Sequence, residues 1–240
     1  MKLSDFKVLT FDCYGTLIDW ESGMVNALTL LTDKLNGKLT RNEILEAHAR
    51  HEANQQAQTP HKPYRELLAI VYRRLSEEWG VQITWNECVQ YGNSVKKWTT
   101  FADSADALKY LKQHFKLVIL SNVDNESFAE SNKKLGIDFD AIYTAEDIGS
   151  YKPSDRNFEY MISMLKSNGY EKTDILHTAE SMFHDHAPAN RHGLKSSWIY
   201  RRHGQEGFGA TMHPGDMPHY EFRFTSMKEM AEAHKLEIGG

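Results

Sequence analysis

"KVLTFDCYGTLIDW", residues 7–20, joins a short apolar run to a carboxylate and a tight turn. The run "KVLTF" is almost continuously apolar, which predicts a strand buried on both faces, as in a parallel sheet covered by helices. It ends at Asp12, and Gly15 and Thr16 follow at once. In open α/β sheets, ligands bind at the carboxyl ends of the strands. Asp12 is therefore expected to lie where a pocket opens.

Further apolar runs of the same kind recur along the second half of the chain. The predicted strands are "KLVIL" (116–120), a weaker "AIYTA" (141–145), "DILHTA" (174–179) and "SSWIY" (196–200). Amphipathic helical patterns separate them, one starting near Ser104 and others ending at Gly136 and Gly169. This alternation of strand and helix predicts an α/β fold with a doubly wound parallel sheet.

Residues 21–98 interrupt this alternation. The segments "MVNALTLLTDKL", "RNEILEAHARHEANQQA" and "YRELLAIVYRRLSEEWG" follow one another as helical patterns without a strand between them. We interpret them as an inserted helical cap (21–98), carried by a core of residues 1–20 and 99–240. The two linkers are expected near Asp19–Gly23 and Trp98–Asp103.

The composition is that of a globular protein, with 40% hydrophobic residues, 25% charged residues and a mean hydropathy of −0.58. A net charge of −5 gives no support to nucleic-acid or anionic-membrane binding, since both require a basic face. Two separated cysteines, no evident signal peptide and no long apolar segment favour a reducing, cytoplasmic location. The sequence does not distinguish a monomer from a homodimer.

Polar residues that can carry chemistry follow the predicted strands. They are Asp12 and Thr16 after the first, Ser121 and Asn122 after the second, then Lys152, and finally Glu180 and Asp185. An ammonium keeps a neighbouring carboxylate ionised, and an ionised, hydrogen-bonded Asp can act as a nucleophile that forms a covalent ester. The N–H groups of the turn after Asp12 can hold an anion. Asp12 as a simple turn or capping residue is the competing explanation, which Lys152 and Ser121 make less favourable.

Four short segments resemble the motifs of the haloacid dehalogenase superfamily. They are "FDCYGTL", "LSN", "YKP" and "ESMFHD", in the order and spacing of that superfamily, and the resemblance covers essentially the whole chain. It implies a Rossmann-like core with a mobile cap. It also implies that Asp12 is the nucleophile, that Thr16, Ser121 and Lys152 orient and stabilise it, and that Asp185 is the fourth-motif acid.

The residue two places after the nucleophile indicates a branch of the superfamily. Phosphatases usually have DxD, with the second Asp as general acid, whereas this sequence has Asp12, Cys13 and Tyr14. An unperturbed tyrosine titrates near pH 10 and is a poor proton donor at neutral pH. The segment resembles the "DxYGTL" of the type II L-2-haloacid dehalogenases, whose halide leaving group needs no proton.

That resemblance implies a reaction and a substrate site, with no cofactor. Asp12 would attack the α-carbon of a 2-haloalkanoate, and Asp185 and Lys152 would position the water that hydrolyses the ester. The substrate carboxylate would bind Ser121 and the backbone N–H groups near Cys13 and Tyr14. The leaving halide would meet Asn122 and an arginine of the cap, for which Arg50 is the first candidate and Arg41 a weaker one.

Two other functions remain open. Glu180 stands where phosphatases carry a fourth-motif Asp, and Asp12, Glu180 and Asp185 together could hold Mg²⁺, which prefers oxygen ligands. The alternative is therefore a Mg²⁺-dependent phosphohydrolase that forms an aspartyl-phosphate on Asp12, unless Glu180 pairs with Lys152 instead. The second alternative is a catalytically silent protein of this fold that binds small molecules.

The remaining histidine-rich segments are given structural roles. His184, His186 and His192 surround Asp185 but lack the spacing of a closed zinc site, so we expect a solvated helix start. His48 and His51 are expected on an exposed face of a cap helix. The Gly- and His-rich stretch from Arg201 to Phe222 is expected to be an exposed loop before a last strand and helix.

Overall fold

A computed structural model describes residues 1–239 and contains one six-stranded sheet. The strands are β1 (Val8–Phe11), β2 (Lys116–Ser121), β3 (Ala141–Thr144), β4 (Ile175–Ala179), β5 (Lys195–Ile199) and β6 (Phe222–Phe224). Every neighbouring pair is parallel, and the order across the sheet is β3-β2-β1-β4-β5-β6. The predicted doubly wound parallel sheet is confirmed.

Eleven α-helices surround this sheet in the described part of the chain. They are α1 (Trp20–Ala27), α2 (Thr29–Thr32), α3 (Arg41–Gln58), α4 (Tyr64–Glu78), α5 (Trp85–Gly92), α6 (Ser104–Leu111), α7 (Asn125–Leu135), α8 (Ala145–Ile148), α9 (Asp155–Ser167), α10 (Ala187–Arg191) and α11 (Met227–Gly239). A π-helical turn, Met182–His186, precedes α10.

Strand β1 is the centre of the fold because both of its faces are covered. Leu9 and Phe11 pack into one apolar cluster and Val8 into a second, so alternate side chains enter cores on opposite sides of the sheet. The chain turns in opposite directions from β1, towards β2 on one side and β4 on the other. A crevice forms at such a switch point, outside the carboxyl ends of the strands. Asp12 lies there, immediately after β1.

Helices α1 to α5 form an insertion between β1 and β2 that contains no named strand, and we call residues 20–98 the helical insertion. The two linkers that connect it to the sheet run side by side. Ile18 forms an antiparallel bridge with Thr100, and the Asp19 N–H donates to the Thr99 carbonyl at 2.8 Å. The first linker ends before the predicted Gly23, because α1 begins at Trp20. Asp19 caps α1 by accepting from the Ser22 N–H.

The segment between β5 and β6 is a loop with many exposed residues, as predicted, but its Arg202 and residues 209–211 are buried. Arg202 is only 4% exposed and donates to both carboxylate oxygens of Glu21 in α1, at 2.8 and 2.6 Å. The Ala210 N–H also donates to Glu21, and Thr211 is buried. The first half of this loop is thus fastened to the helical insertion, while β6 and α11 follow as expected. None of the helices within residues 1–239 has both the length and the apolar character that crossing a membrane requires.

Candidate active site

Asp12 is the centre of a buried polar network at the end of β1. It is 6% exposed, its Oδ2 accepts from the Thr16 hydroxyl at 2.8 Å, and its Oδ1 accepts from Lys152 Nζ at 2.9 Å. The turn brings Thr16 back onto Asp12 because Gly15 has a φ of +97°, in the left-handed region that favours glycine. A Cβ at Gly15 would also approach the Trp20 indole nitrogen to 2.9 Å. The predicted contact between Asp12, Thr16 and Lys152 is therefore present.

Lys152 is buried between two carboxylates. Its ammonium donates to Asp12, to Asp185 Oδ1 at 2.7 Å and to the Leu120 carbonyl at 2.9 Å, which uses all three of its protons. Burial by itself lowers the pKa of Lys152, but the charges of Asp12 and Asp185 outweigh it, so the pKa is raised. Lys152 is therefore a permanent cation at neutral pH.

The two carboxylates that share Lys152 are not equivalent. Burial raises the pKa of Asp12, against the opposing effect of Lys152. Burial also acts to raise the pKa of Asp185, but Lys152 and His177 outweigh it and lower that pKa below its ordinary value. The surroundings thus act in opposite directions on the two carboxylates, because burial has the larger effect on the pKa of Asp12, and Lys152 with His177 has the larger effect on that of Asp185.

Sequence reasoning missed His177, a buried imidazole in the middle of β4. Its Nε2 lies 2.9 Å from Asp185 Oδ1 and its Nδ1 lies 2.8 Å from the Thr10 hydroxyl. Because the ionised Asp185 can only accept, Nε2 donates to it, and Nδ1 is paired with the Thr10 hydroxyl. Asp185 Oδ1 is held by His177 and Lys152, whereas its Oδ2 is buried without a hydrogen-bond partner among residues 1–239. The only signal in the sequence was a histidine inside an otherwise apolar strand.

The donors predicted for a substrate carboxylate have no protein partners within residues 1–239, but of Ser121, Cys13 and Tyr14 only Tyr14 lines the cavity that contains Asp12. Ser121 Oγ is buried at the end of β2 and has no partner in the described structure. The N–H groups of Cys13 and Tyr14 likewise donate to no protein acceptor in that range. Asn122 has a different role, because its Nδ2 donates to the Lys152 carbonyl at 3.0 Å and its Oδ1 accepts from the Lys152 N–H at 2.7 Å. Asn122 lines the cavity, but its amide fixes the backbone of Lys152.

Tyr14 is not placed as a proton donor to a leaving group. Its hydroxyl pairs with Ser131 Oγ at 2.7 Å, and its ring meets the edge of Trp98. Burial raises the pKa of Tyr14 well above its ordinary value. The position that carries the second Asp in DxD sequences is therefore occupied by a neutral phenol that is already hydrogen-bonded.

Glu180 lies outside the cavity that contains Asp12. Its side chain lines a neighbouring cavity with Glu21, Arg41 and Arg202, and burial together with Glu21 raises the pKa of Glu180 to about 8. Its backbone N–H donates to the Thr16 hydroxyl at 2.9 Å, and Lys152 makes no bond to it. Asp12, Glu180 and Asp185 do not converge as a ligand set. Among the residues from 1 to 239, no three His, Cys, Asp or Glu side chains are grouped to hold a metal ion.

Arg50 does not contact the cavity, which corrects its assignment as the arginine at the leaving halide. Its guanidinium donates to both carboxylate oxygens of Glu78 at 2.7 and 2.8 Å, and about half of its side chain is exposed. Arg41 is also absent from the lining of the Asp12 cavity and lies 4.0 Å from Glu21. Helix α3 presents a different face to the cavity from the one that was expected.

The residue that α3 directs to the cavity is Glu52. The cavity has a free volume of about 30 Å³, room for one or two waters. Its lining comprises Asp12, Tyr14, Trp20, Glu52, Tyr64, Asn122, Val123, Lys152, Ser181, His184, Asp185 and Thr211. His48 is fully buried, so the expectation that it lies on an exposed face of this helix is wrong, and Glu52 is only 4% exposed.

The histidines around Asp185 are buried rather than solvated, which corrects the expected solvated helix start. The π turn places His184, Asp185 and His186 inside the protein, and π turns often occur at functional sites. His186 contacts Ser196 and the Ala179 carbonyl, and burial lowers its pKa to about 4. His184 lines the cavity, and burial lowers its pKa too. His192 lies elsewhere, against Asp155.

Comparison with known proteins agrees with this geometry. A family model described as a haloacid dehalogenase-like hydrolase matches residues 6–177, more than half of the chain. The chain belongs to this hydrolase family. A search of curated proteins finds no match.

Solved structures of the family share the fold over nearly the full length of this chain. A defluorinating L-2-haloacid dehalogenase is 17% identical, with a TM-score of 0.76 and 98% of each chain covered. The L-2-haloacid dehalogenase of Xanthobacter autotrophicus is 17% identical, with a TM-score of 0.76 and 95% and 97% covered; another structure of that enzyme has chloropropionic acid covalently bound. The HAD-hydrolase YfnB from Bacillus subtilis, bound to magnesium, is 19% identical, with a TM-score of 0.72 and 96% and 99% covered.

Proposed function

We propose that this hydrolase cleaves the carbon–halogen bond of short 2-haloalkanoic acids through a covalent ester on Asp12. The observation that carries the proposal is an Asp12 carboxylate held by Lys152 and Thr16 beside a Tyr14 that is already hydrogen-bonded. A halide departs without a proton, whereas an alcohol leaving group needs an acid. Within this cavity, Tyr14 offers no such acid, so halide is the better match.

In the first half-reaction, an Asp12 carboxylate oxygen attacks the α-carbon of the substrate. A carbon–oxygen bond forms as the carbon–halogen bond breaks, and the halide leaves with the bonding electron pair. The substrate carboxylate would lie on the Ser121 hydroxyl and the N–H groups of Cys13 and Tyr14, where donors without protein partners are available. Lys152 and Thr16 fix the direction of attack.

In the second half-reaction, water attacks the carboxyl carbon of the Asp12 ester. The Oδ2 of Asp185 is an acceptor without a protein partner in the described chain, and it is suited to take one proton of that water and to pass it to the departing oxygen of the 2-hydroxy acid, while the second proton leaves to solvent. Lys152 contacts Asp12 and stabilises the negative charge that develops on the ester oxygens. The products are a 2-hydroxy acid and a restored Asp12.

The helical insertion is proposed to act as the cap of this site. It contributes Trp20, Glu52 and Tyr64 to the cavity, and the two linkers that pair near Asp19 and Thr99 connect it to the sheet. A free volume of about 30 Å³ is small for a haloacid, so substrate entry requires the insertion to move away from the core.

The phosphohydrolase alternative has less support from the geometry. Glu180, the residue that raised it, lies in the neighbouring cavity, and Tyr14 replaces the second carboxylate. Both functions are tested by measuring halide release from 2-chloropropanoate and phosphate release from an aryl phosphate, each with Mg²⁺ and with a chelator. Halide release that is insensitive to the chelator is expected. Mg²⁺-dependent phosphate release without halide release would overturn the proposal.

His177 is expected to control the second half-reaction. In His177→Phe, Asp185 Oδ1 loses one of its two donors, so the carboxylate that directs water is less well oriented. Ester hydrolysis should slow roughly 10- to 100-fold while the first release of halide keeps its rate. Intact-protein mass spectrometry should then detect the covalent adduct on the protein during turnover.

The matched control for this substitution is His234→Phe, a buried imidazole between Tyr110 and Phe115, outside the cavity lining. His177→Gln, which keeps a donor, should restore part of the hydrolysis rate. Equal slowing of both half-reactions, or an equal effect of His234→Phe, would show that His177 has only a structural role.

A further inference from the structure

The helical insertion places at the substrate cavity a buried carboxylate, Glu52, that pairs with no Lys or Arg of residues 1–239. Glu52 is 96% buried, and its Oε1 accepts from the Tyr64 hydroxyl at 2.8 Å and from Gln56 Nε2 at 3.1 Å. Its Oε2 lies 3.5 Å from His48 Nδ1, and no hydrogen bond joins these two atoms. Within residues 1–239, no Lys or Arg pairs with Glu52. Within the described residues Oε2 therefore accepts no hydrogen bond, and the imidazole of His48 is the basic group beside it.

The charges that line the cavity do not balance. Three carboxylates, those of Asp12, Glu52 and Asp185, face a single cationic side chain, Lys152. Lys152 already donates hydrogen bonds to Asp12, Asp185 and the Leu120 carbonyl, which uses all three of its N–H groups. Burial lowers the pKa of His184, the remaining basic group of the lining, so this histidine favours its neutral form. A buried carboxylate without a cation is unfavourable unless a ligand supplies the missing donor.

The core and the helical insertion offer opposite chemistry to a substrate. On the core side, the donors without protein partners within residues 1–239 are the N–H groups of Cys13 and Tyr14, which follow Asp12 in the chain, and the Ser121 hydroxyl at the end of β2; of these residues only Tyr14 lines the cavity. The helical insertion contributes the Glu52 carboxylate, which is available to the remaining substituent of the α-carbon when the substrate carboxylate binds the core donors.

We propose that Glu52 is a specificity residue that binds an ammonium group carried next to the reacting carbon of the substrate. This inference rests on the function proposed above. The preferred substrate is then a zwitterionic 2-haloacid, with its carboxylate on the core and its ammonium on Glu52. A charge-assisted hydrogen bond to the buried carboxylate distinguishes it from an uncharged analogue of the same size.

Three probes of matched size test this specificity. They are 2-chlorobutanoate, 2-chloro-3-hydroxypropanoate and 3-amino-2-chloropropanoate, which present a methyl, a hydroxyl and an ammonium at the same position. The kcat/KM for halide release is expected to be about 10- to 100-fold higher for the ammonium than for the methyl probe, with the hydroxyl between them. In Glu52→Gln, most of this preference should be lost, measured as the ratio of kcat/KM between the ammonium and methyl probes in the same variant. Glu46→Gln, an exposed change on the same helix, is the control.

A binding measurement on the unaltered protein makes the test independent of how the variants fold. The unreactive 3-aminopropanoate should raise the midpoint of thermal unfolding more than butanoate does. If halide is released but the ammonium probe is not preferred, or its preference survives in Glu52→Gln, the inference is overturned and the proposed function stands. If none of the three probes nor 2-chloropropanoate releases halide, both are overturned.

Discussion

Asparagine in place of Asp12 is expected to reduce halide release by about 10⁴-fold or more. The substitution keeps the size of the side chain but replaces the attacking carboxylate with a weakly nucleophilic amide. Thr16 and Lys152 remain, yet neither can form the ester. Halide release from 2-chloropropanoate, followed with a halide electrode at saturating substrate, measures the effect.

The matched control for this experiment is Asp106→Asn, whose side chain is 91% exposed on α6. It should retain full activity. The Asp12 variant should unfold cooperatively and still bind a haloacid, because the Ser121 hydroxyl and the N–H groups of Cys13 and Tyr14 are unchanged. Appreciable turnover by folded Asp12→Asn would mean that another group is the nucleophile.

Methionine in place of Lys152 is expected to lower both the activity and the stability of the protein. It leaves two buried carboxylates without their shared cation, and breaking a buried ion pair in this way costs about 3–5 kcal/mol in the free energy of unfolding. The pKa of Asp12, already raised by burial, should rise further without the opposite charge of Lys152, so that ionising the nucleophile requires a higher pH. Halide release should fall by about 10²- to 10³-fold, and the acid limb of its pH profile should move to higher pH.

The stability loss in Lys152→Met should depend on pH. In the native protein the pKa of Asp185 is lowered, so its ion pair stabilises the fold above the unfolded pKa of about 4 and loses that effect as the pH falls through the folded pKa. The difference in the free energy of unfolding between the native protein and Lys152→Met should therefore be full at pH 7 and narrow at acid pH. Urea unfolding at several pH values measures it, with the exposed Lys109→Met as control. A difference that stays constant with pH would contradict the assigned ion pair.

The core of the site was predictable because parallel strands end at one edge of a sheet. Asp12, Ser121, Lys152 and Asp185 each follow a strand or the turn after it, so the order of strands alone brings them close. The strands themselves were predictable from their continuous apolar runs. The doubly wound topology followed from the helices between them.

The part of the site that the helical insertion contributes was not predictable in the same way. Helix α3 is mostly polar and has no distinct apolar stripe, so the sequence does not show which of its faces is buried. The structure buries His48 and Glu52 and leaves Arg50 on the surface with Glu78. The position of the loop between β5 and β6 was not predictable either, because it depends on tertiary contacts such as that of Arg202 with Glu21.

The directions of the side chains that follow β4 were also not predictable from the sequence. Glu180 follows β4 directly, but it lines the neighbouring cavity, and the π turn instead brings Asp185 to Lys152. A π turn has no reliable sequence signature. His177 resembled a core residue of a strand, and its bond to Asp185 depends on a register that only the folded sheet defines.

The ester on Asp12 is tested most directly by a single turnover in water enriched in ¹⁸O, with the protein in excess over 2-chloropropanoate. Because water attacks the carboxyl carbon of the ester, the label should enter Asp12, where mass spectrometry of the peptide that contains it would find it. The 2-hydroxypropanoate product should carry unlabelled oxygen taken from Asp12. Label in the hydroxyl group of the product and none in Asp12 would contradict the covalent mechanism.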